Sequence, residues 1–403
     1  MKKTFKLFCA LLILLPGLSA AFDFGVILDQ NLSYIDFGGN ANTEYTGSLL
    51  PRFLAPVGDN GLIYVSAGIN MEYVQGSWRF VPELLRTEFT LFLRNSDLTA
   101  GRMFYSDPLG FIATGLFDGA RFSFDTPMGT FSAGAWYTGF LYKRRASITM
   151  NDRELELFHE ELDFNDFANT YFAPRRFITA MEWENPNIEH PNLGTTALRG
   201  RVALMCQFDF TGQGLHSQYL TGRLSVPLNA FLLDFGGSLS FIQDSGNFAA
   251  AIAAEFGTSW TLPVDFGNRL SLLFRYTGQT SGHMRSFLPI TTISQGSVLR
   301  ARASGLTMIS LDYLARLNRT FVMNLQSSYF IRNDFETYRG FWFLNADRGR
   351  FLGNEFFGQF FWSPVSDMTM NFGAGVFLPS WGNAVHNPVN LWRVEINLVF
   401  SLF

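Results

Sequence analysis

Nine arginines of this chain stand opposite stripes of Phe and Leu in strand-like stretches: Arg86, Arg94, Arg121, Arg199, Arg201, Arg269, Arg275, Arg332 and Arg393. Glu88, Asp209 and Glu395 share their phase. A guanidinium is a planar fork of donors that matches carboxylate or phosphate, so rings of arginine around an aqueous path favour anions. Two outcomes stand side by side. Either the arginine excess sets an anion preference, or the carboxylates neutralise it pairwise and the charges only keep a lumen wet and rigid.

Other chemistry has little to build on. The chain has five histidines, His159, His190, His216, His283 and His386, and no serine in a Gly-x-Ser-x-Gly elbow. His159-Glu160-Glu161-Leu162-Asp163 opens like a zinc-protease helix but lacks the second histidine. The acidic run around it, 151–163 (NDRELELFHEELD), lacks the ordered spacing of a calcium loop. No catalytic residue, metal or cofactor is therefore expected, and nucleic acid is not an expected partner. A hydrolase drawing catalytic groups from separated strands would leave no local motif, so that alternative stays open.

The elements that carry the arginines alternate. In 22–34, Phe22, Phe24, Val26, Leu28, Leu32 and Tyr34 oppose Asp23, Gly25, Asp29, Asn31 and Ser33. In 81–94, Leu85, Phe89, Leu91 and Leu93 oppose Arg86, Glu88, Thr90 and Arg94. The stretches at 198–210, 269–276 and 321–332 repeat the pattern. Alternation over about ten residues, with Trp183, Tyr276, Tyr329 and Trp392 towards segment ends, is the pattern of strands with lipid on one side and water on the other. A soluble sandwich also alternates, but its strands average about 5–6 residues. An arginine facing lipid near the midplane would cost about 2–4 kcal/mol, so the arginines should point inwards.

Composition agrees. The chain holds 45 Phe and 37 Gly among 403 residues, yet no stretch after Pro16 offers 18 consecutive apolar residues, so membrane-spanning helices are not expected. Lys2, Lys3 and Lys6, then the apolar 7–15, then Ser19-Ala20-Ala21, read as a secretory signal over 1–20, with 21–403 as the exported barrel. Cys9 sits too early in the apolar stretch for a lipoprotein anchor. Past the signal there remain 26 arginines, one lysine (Lys143) and 34 acids, a net charge of −7, and Cys206 has no partner for an intrachain disulfide. The last segment, 390–403, alternates Trp392, Val394, Ile396, Leu398, Phe400 and Leu402 with Arg393, Glu395 and Asn397, and ends on Phe403. It resembles the C-terminal signal of outer-membrane barrels, with Trp392, Phe400 and Phe403 as its aromatics, although Phe403 is one position out of phase.

These segments predict an all-β protein, a transmembrane antiparallel β-barrel of about 16–18 strands of outer-membrane type. Long connections are expected at 143–174, 184–196, 278–297 and 379–389, on the extracellular side. The segment 151–163, with Leu155, Phe158 and Leu162 at helical spacing, is either a constriction in the mouth or a solvated surface helix.

One stretch supports a family comparison. Gly101-Arg102, Asp107-Pro108-Leu109-Gly110 and Gly115-Leu116-Phe117-Asp118-Gly119-Ala120-Arg121-Phe122 resemble the "GR … FDG-x-R" hairpin of alginate-export-type porins, over some twenty residues. The resemblance implies an eighteen-stranded outer-membrane channel with an arginine-lined lumen that passes anionic polysaccharide. The residues by themselves also allow a turn with its flanking strands. Taken together, the sequence points to a passive pore of the cell outer membrane for polar solutes. Its other partners would be outer-membrane lipid and, through the C-terminal strand, the barrel-assembly machinery. The alternative is a surface structural or adhesin barrel whose long loops bind a partner.

Overall fold

A computed structural model of the chain describes residues 22–402 except 40, 75, 151–153, 156–157, 159–161, 187, 190–196, 211–213, 245–246, 265–266, 282–283, 336 and 338–348. Residues 1–21, where the sequence suggests a secretory signal, Phe403 and most of 151–161 lie outside the described residues. Among the described residues, eighteen strands close a barrel. They are β1 (Asp23–Phe37), β2 (Ala41–Val57), β3 (Gly61–Val74), β4 (Ser77–Phe92), β5 (Ser96–Ser106) and β6 (Thr114–Thr126). Next come β7 (Gly129–Tyr137), β8 (Arg176–Glu184), β9 (Ala197–Asp209), β10 (His216–Leu228), β11 (Phe231–Asp244) and β12 (Asn247–Thr261). The last six are β13 (Arg269–Thr277), β14 (Leu306–Arg316), β15 (Phe321–Arg332), β16 (Phe351–Val365), β17 (Met368–Leu378) and β18 (Leu391–Leu402). Each pairs antiparallel with its sequence neighbours, and β18 returns to β1 from Phe37↔Leu391 to Val26↔Leu402. Closure leaves no free edge for lipid to meet along most of the wall.

The alternation sorts side chains to the two faces. Phe24, Leu32 and Tyr34 of β1 and Trp392, Val394 and Ile396 of β18 are exposed on the outside, while Ser33 and Ile35 are buried within. Aromatic belts mark both rims. Trp78 packs between Tyr45 and Tyr73 at 5.7 and 5.1 Å, and at the opposite end Phe231 stacks on Trp260 at 5.8 Å. No helix of the described residues is long and apolar enough to cross a membrane.

The connections are asymmetric. One rim carries the short turns 58–60, 93–95, 127–128, 229–230 and 366–367, together with both ends of the barrel sequence. The other rim carries the long 138–175, 278–305, 333–350 and 379–390, which assigns it to the extracellular side. The expected long loop at 184–196 needs correction. It joins β8 to β9 and lies on the short-turn rim, because the strand count places it there whatever its length.

Two long loops fold into the barrel. Phe111 and Ile112, in the β5–β6 turn, meet Phe287 and Ile290 of the β13–β14 loop in one buried cluster. Ile290 N donates to Ile112 O at 2.7 Å, and Thr149 N of the β7–β8 loop donates to Ile290 O at 2.9 Å. The outer half of the lumen is narrowed by this three-way contact.

Candidate functional site

The inner wall carries a charged arc from β6 to β13. Arg121 on β6 lies 3.8 Å from Glu182 on β8, and Glu182 also receives Arg201 of β9 at 2.9 Å. Further round, Arg223 of β10 is 3.1 Å from Asp234 on β11 and 3.9 Å from Glu255 on β12, and Arg275 on β13 reaches Glu255 at 2.6 Å. These seven residues share the inner phase, since outward neighbours such as Leu204, Leu220 and Phe274 are exposed.

The pairs are not symmetric towards water. Arg121 and Arg223 side chains are each 37% exposed, against 6% for Glu182 and 4% for Glu255. The same order holds at Arg86–Glu88 and Arg145–Glu83. A short carboxylate stays against the wall while the longer arginine carries its charge into the lumen. Arg199, exposed at the end of the arc, has no ion-pair partner among the described residues. Water in the lumen thus meets guanidinium first and carboxylate second.

The remaining sequence-selected residues distribute as follows. Arg86 lies on the inner phase with Glu88 at 2.5 Å and its guanidinium 4.9 Å over the Tyr64 ring. Arg269 is exposed at the short-turn end of β13. Arg275 also bonds to Gln295 and sits 4.4 Å over the Phe111 ring, so it both faces the lumen and props the narrowing. Arg393 pairs with Glu395 at 2.6 Å and donates to Ser297 O at 2.6 Å, again holding the β13–β14 loop. Asp209, assigned the polar phase with the arginines, pairs with fully buried Arg176 at 2.7 Å. The same Arg176 takes Glu154 of the acidic segment at 2.6 Å, so that end of 151–163 reaches the barrel's inner face.

Two assignments are corrected. Arg332 does not face water: its side chain is 0% exposed, its Nε donates to Gly349 O at 2.9 Å and its guanidinium lies 4.3 Å over the Phe335 ring. It is covered by the described ends of the β15–β16 connection, at Phe335 and Gly349. Arg94 lies past the end of β4 in the exposed 93–95 turn, so it belongs to the rim and to no strand face.

Sequence reading missed several residues that do face inwards. Arg223 was readable, since Leu220 and Leu224 alternate with Tyr219, Thr221, Arg223 and Ser225. Glu83 was hidden by a β-bulge: Ser66↔Arg86 is followed by Ala67↔Leu84, which leaves Leu85 unpaired and inverts the phase of the earlier residues. Glu355 on β16 was not considered, yet it accepts backbone N–H groups from Ser297, Val298 and Leu299 at 2.5, 3.0 and 2.8 Å.

The hairpin motif also has a structural reading. Gly101 faces Gly119 and Arg102 faces Asp118 across β5 and β6, so the Gly-Arg and Asp-Gly spacing is a double cross-strand match in mid-strand. Gly101 has φ +121 and approaches Thr87 O so closely that a Cβ would collide with it. The turn itself is 107–113, where Asp107 accepts the N–H groups of Leu109, Gly110, Ile112 and Ala113.

In the mouth, a cavity of about 400 Å³ has Thr149, Ser286, Thr292 and Thr337 hydroxyls with Arg302 and Asp334 on its walls. Asp334 is its clasp, accepting Thr280 N at 2.8 Å, Thr337 N at 3.3 Å and the Ser286 hydroxyl. Burial by itself would raise the Asp334 carboxyl, but these donors outweigh it and hold the group at about 2. A carboxyl depressed in this way stabilises the loops above its ordinary value of about 3.9, and the contribution is lost as pH falls through the depressed value. Amide exchange at Thr280 and Thr337, corrected for intrinsic rate, should stay slow at pH 4 and open towards pH 2. In Asp334→Asn it should already be fast at pH 7. Equal protection in both proteins at pH 7 would remove Asp334 from this role.

No family model matches the chain, and no curated protein matches it. Among solved structures it is similar to OccK2 (OpdF) of Pseudomonas aeruginosa, with TM-score 0.63 and 11% identity over 94% of this chain and 97% of that one. It is likewise similar to OpdQ of that organism (TM-score 0.62, 11% identity, 95% and 99% covered) and to its outer membrane protein OprD (0.57, 12%, 94% and 94%). One of the OccK2 structures is a complex with glucuronate. The shared feature at this identity is the fold, an eighteen-stranded barrel of outer-membrane porin type.

Proposed function

We propose that this chain is an outer-membrane channel through which small polar solutes diffuse passively, with anions preferred. The observation that carries this reading is the asymmetry of the ion pairs: exposed guanidinium on the water side, buried carboxylate behind it. A field of that sign lowers the barrier for an anion along the wall. In this reading Arg86, Arg121, Arg199, Arg201, Arg269, Arg275 and Arg393 line the path, with Glu88 and Glu395 as their neutralising partners. The hydroxyl-rich cavity beside Arg302 suits polar, hydrogen-bonding solutes, and glucuronate bound to OccK2 is a solute of that kind. Export by the 1–20 leader and assembly through Trp392, Phe400 and Phe403 complete the proposal.

The narrower likeness to alginate-export porins rests on the β5–β6 hairpin alone. There the motif's Arg102 is spent on Asp118 and two backbone carbonyls, which braces the wall, and of the motif's two arginines Arg121 alone faces the lumen. The adhesin alternative fits less well, because the β7–β8 and β13–β14 loops turn into the barrel.

Reconstitution in planar bilayers tests the proposal. Stepwise conductance is expected, with a reversal potential in a KCl gradient whose sign shows chloride preference. Cation preference would overturn the anion assignment, and a correctly inserted barrel without conductance would overturn the channel itself.

A further inference from the structure

The longest seam among the described strands lies between β4 and β5. β4 pairs with β5 only from Thr87↔Arg102 to Phe92↔Asp97, so residues 77–86 have no strand on that side. Pro82 stands in this unpaired stretch, a residue that strands tolerate at an edge. Edge carbonyls at membrane depth need partners, and here side chains supply them. The Tyr171 hydroxyl donates to Pro82 O at 2.9 Å, and Arg102, bonded bidentately to Asp118 at 2.8 Å, donates to Leu84 O. Arg102 and Asp118 are on the outer phase, with lipid-exposed Phe104 and Phe122 beside them.

The β7–β8 loop crosses the wall at this seam. Phe140 O receives Arg102 on the outer side at 3.0 Å, Tyr142 packs with Tyr171 and Val81 in the middle, and Arg145 reaches Glu83 on the inner side at 3.4 Å. The segment leaves a cavity of about 520 Å³. Its outer wall presents Leu84, Phe104 and Leu116 to lipid, with Arg102 there neutralised by Asp118, and its inner wall is charged through Glu83, Arg86 and Arg145. In both inner ion pairs the arginine is again the exposed member.

We propose that this window between β4 and β5 binds single-chain anionic amphiphiles, the tail against Leu84, Phe104 and Leu116 and the carboxylate towards Arg86 and Arg145. The polarity of the cavity runs in the direction such a molecule needs, apolar where it meets lipid and cationic where it meets the lumen. The site opens off the axial path at Arg86 and gives the barrel a lateral exit for solutes with an apolar end.

A dodecanoate carrying a diazirine on its tail tests this with the full barrel in phosphatidylcholine vesicles, and a diazirine-tailed phosphatidylcholine serves as a parallel probe. After photolysis and peptide mapping, the dodecanoate probe should mark Leu141 or Tyr142, which are buried behind the wall, and excess unlabelled dodecanoate should compete it away. The phosphatidylcholine probe should mark outward residues such as Leu204 and Leu220 all round the barrel but not that pair. Leu116→Trp, which fills the cavity, should cut the Leu141 and Tyr142 labelling at least fivefold, and Phe104→Ala, which widens it, should raise it. Bilayer conductance and chloride preference should stay unchanged in both variants, which separates this site from the axial channel. Identical labelling by the two probes, or labelling of Leu141 that survives in an assembled Leu116→Trp barrel, would overturn the proposal.

Discussion

Replacing Arg121, Arg199, Arg201 and Arg223 together with Gln should turn the barrel from chloride-preferring to cation-preferring. Wild-type protein holds five guanidinia in this arc, with Arg275, against the carboxylates of Glu182, Asp234 and Glu255. The variant keeps one against the same three. In water, an ion about 7 Å from a unit charge feels about 0.6 kcal/mol, so four such charges add up to more than a tenfold change in permeability ratio. Gln retains a polar side chain of similar reach, so the inner wall stays wet and the outer stripe that drives insertion is untouched. The shift should grow on dilution, because the Debye length rises from about 10 Å at 0.1 M to about 30 Å at 0.01 M. Glu182→Gln should move the reversal potential the other way. An assembled quadruple variant with wild-type selectivity would mean that these arginines do not set the field.

What could be read from the sequence was whatever depends on neighbours two positions away. The six alternating segments, 22–34, 81–94, 198–210, 269–276, 321–332 and 390–403, each have a counterpart among the eighteen strands, because lipid on one face and water on the other impose period two on them. The same logic placed Arg199, Arg201 and Arg275 on the inner phase. It fails where the backbone changes phase or where a distant segment covers the wall. The bulge at Leu85 hid Glu83. Burial of Arg332 depends on the loop carrying Gly349, and a strand pattern says nothing of it. Arg102 shows the opposite failure. It sits on the lipid phase, yet Asp118, the edge carbonyl of Leu84 and the loop carbonyl of Phe140 absorb its cost, a solution the unpaired seam makes available. Which loops turn inward was also unreadable, since the contacts of Ile112 with Ile290 and Thr291 join residues more than 170 positions apart.

Glu355→Gln should release the β13–β14 loop and widen the channel. The carboxylate sits almost wholly buried on β16 and accepts three consecutive N–H groups of residues 297–299, with Gly296 packed close beside it. Hydrogen bonds to a charged acceptor contribute about 1.5–3 kcal/mol each. A glutamine offers one acceptor and turns an NH2 towards donors that need a lone pair, so more than one of these bonds should be lost with little change in volume. Loss of one alone favours the released loop by about tenfold or more. The strands pair through their backbones, so the barrel should still assemble. Arg393, which grips Ser297 O, and Arg275, which grips Gln295, remain as partial tethers, so release should be intermittent rather than complete. Single-channel records should therefore show excursions to a larger conductance at least ten times more often than wild type. Trypsin should cut at Arg300 or Arg302 sooner from the outside. Glu355→Asp, which keeps the charge on a shorter arm, should fall between the two. If Glu355→Gln assembles with wild-type conductance, noise and trypsin resistance, the loop is held by its apolar contacts at Phe287 and Ile290, and the carboxylate is not its latch.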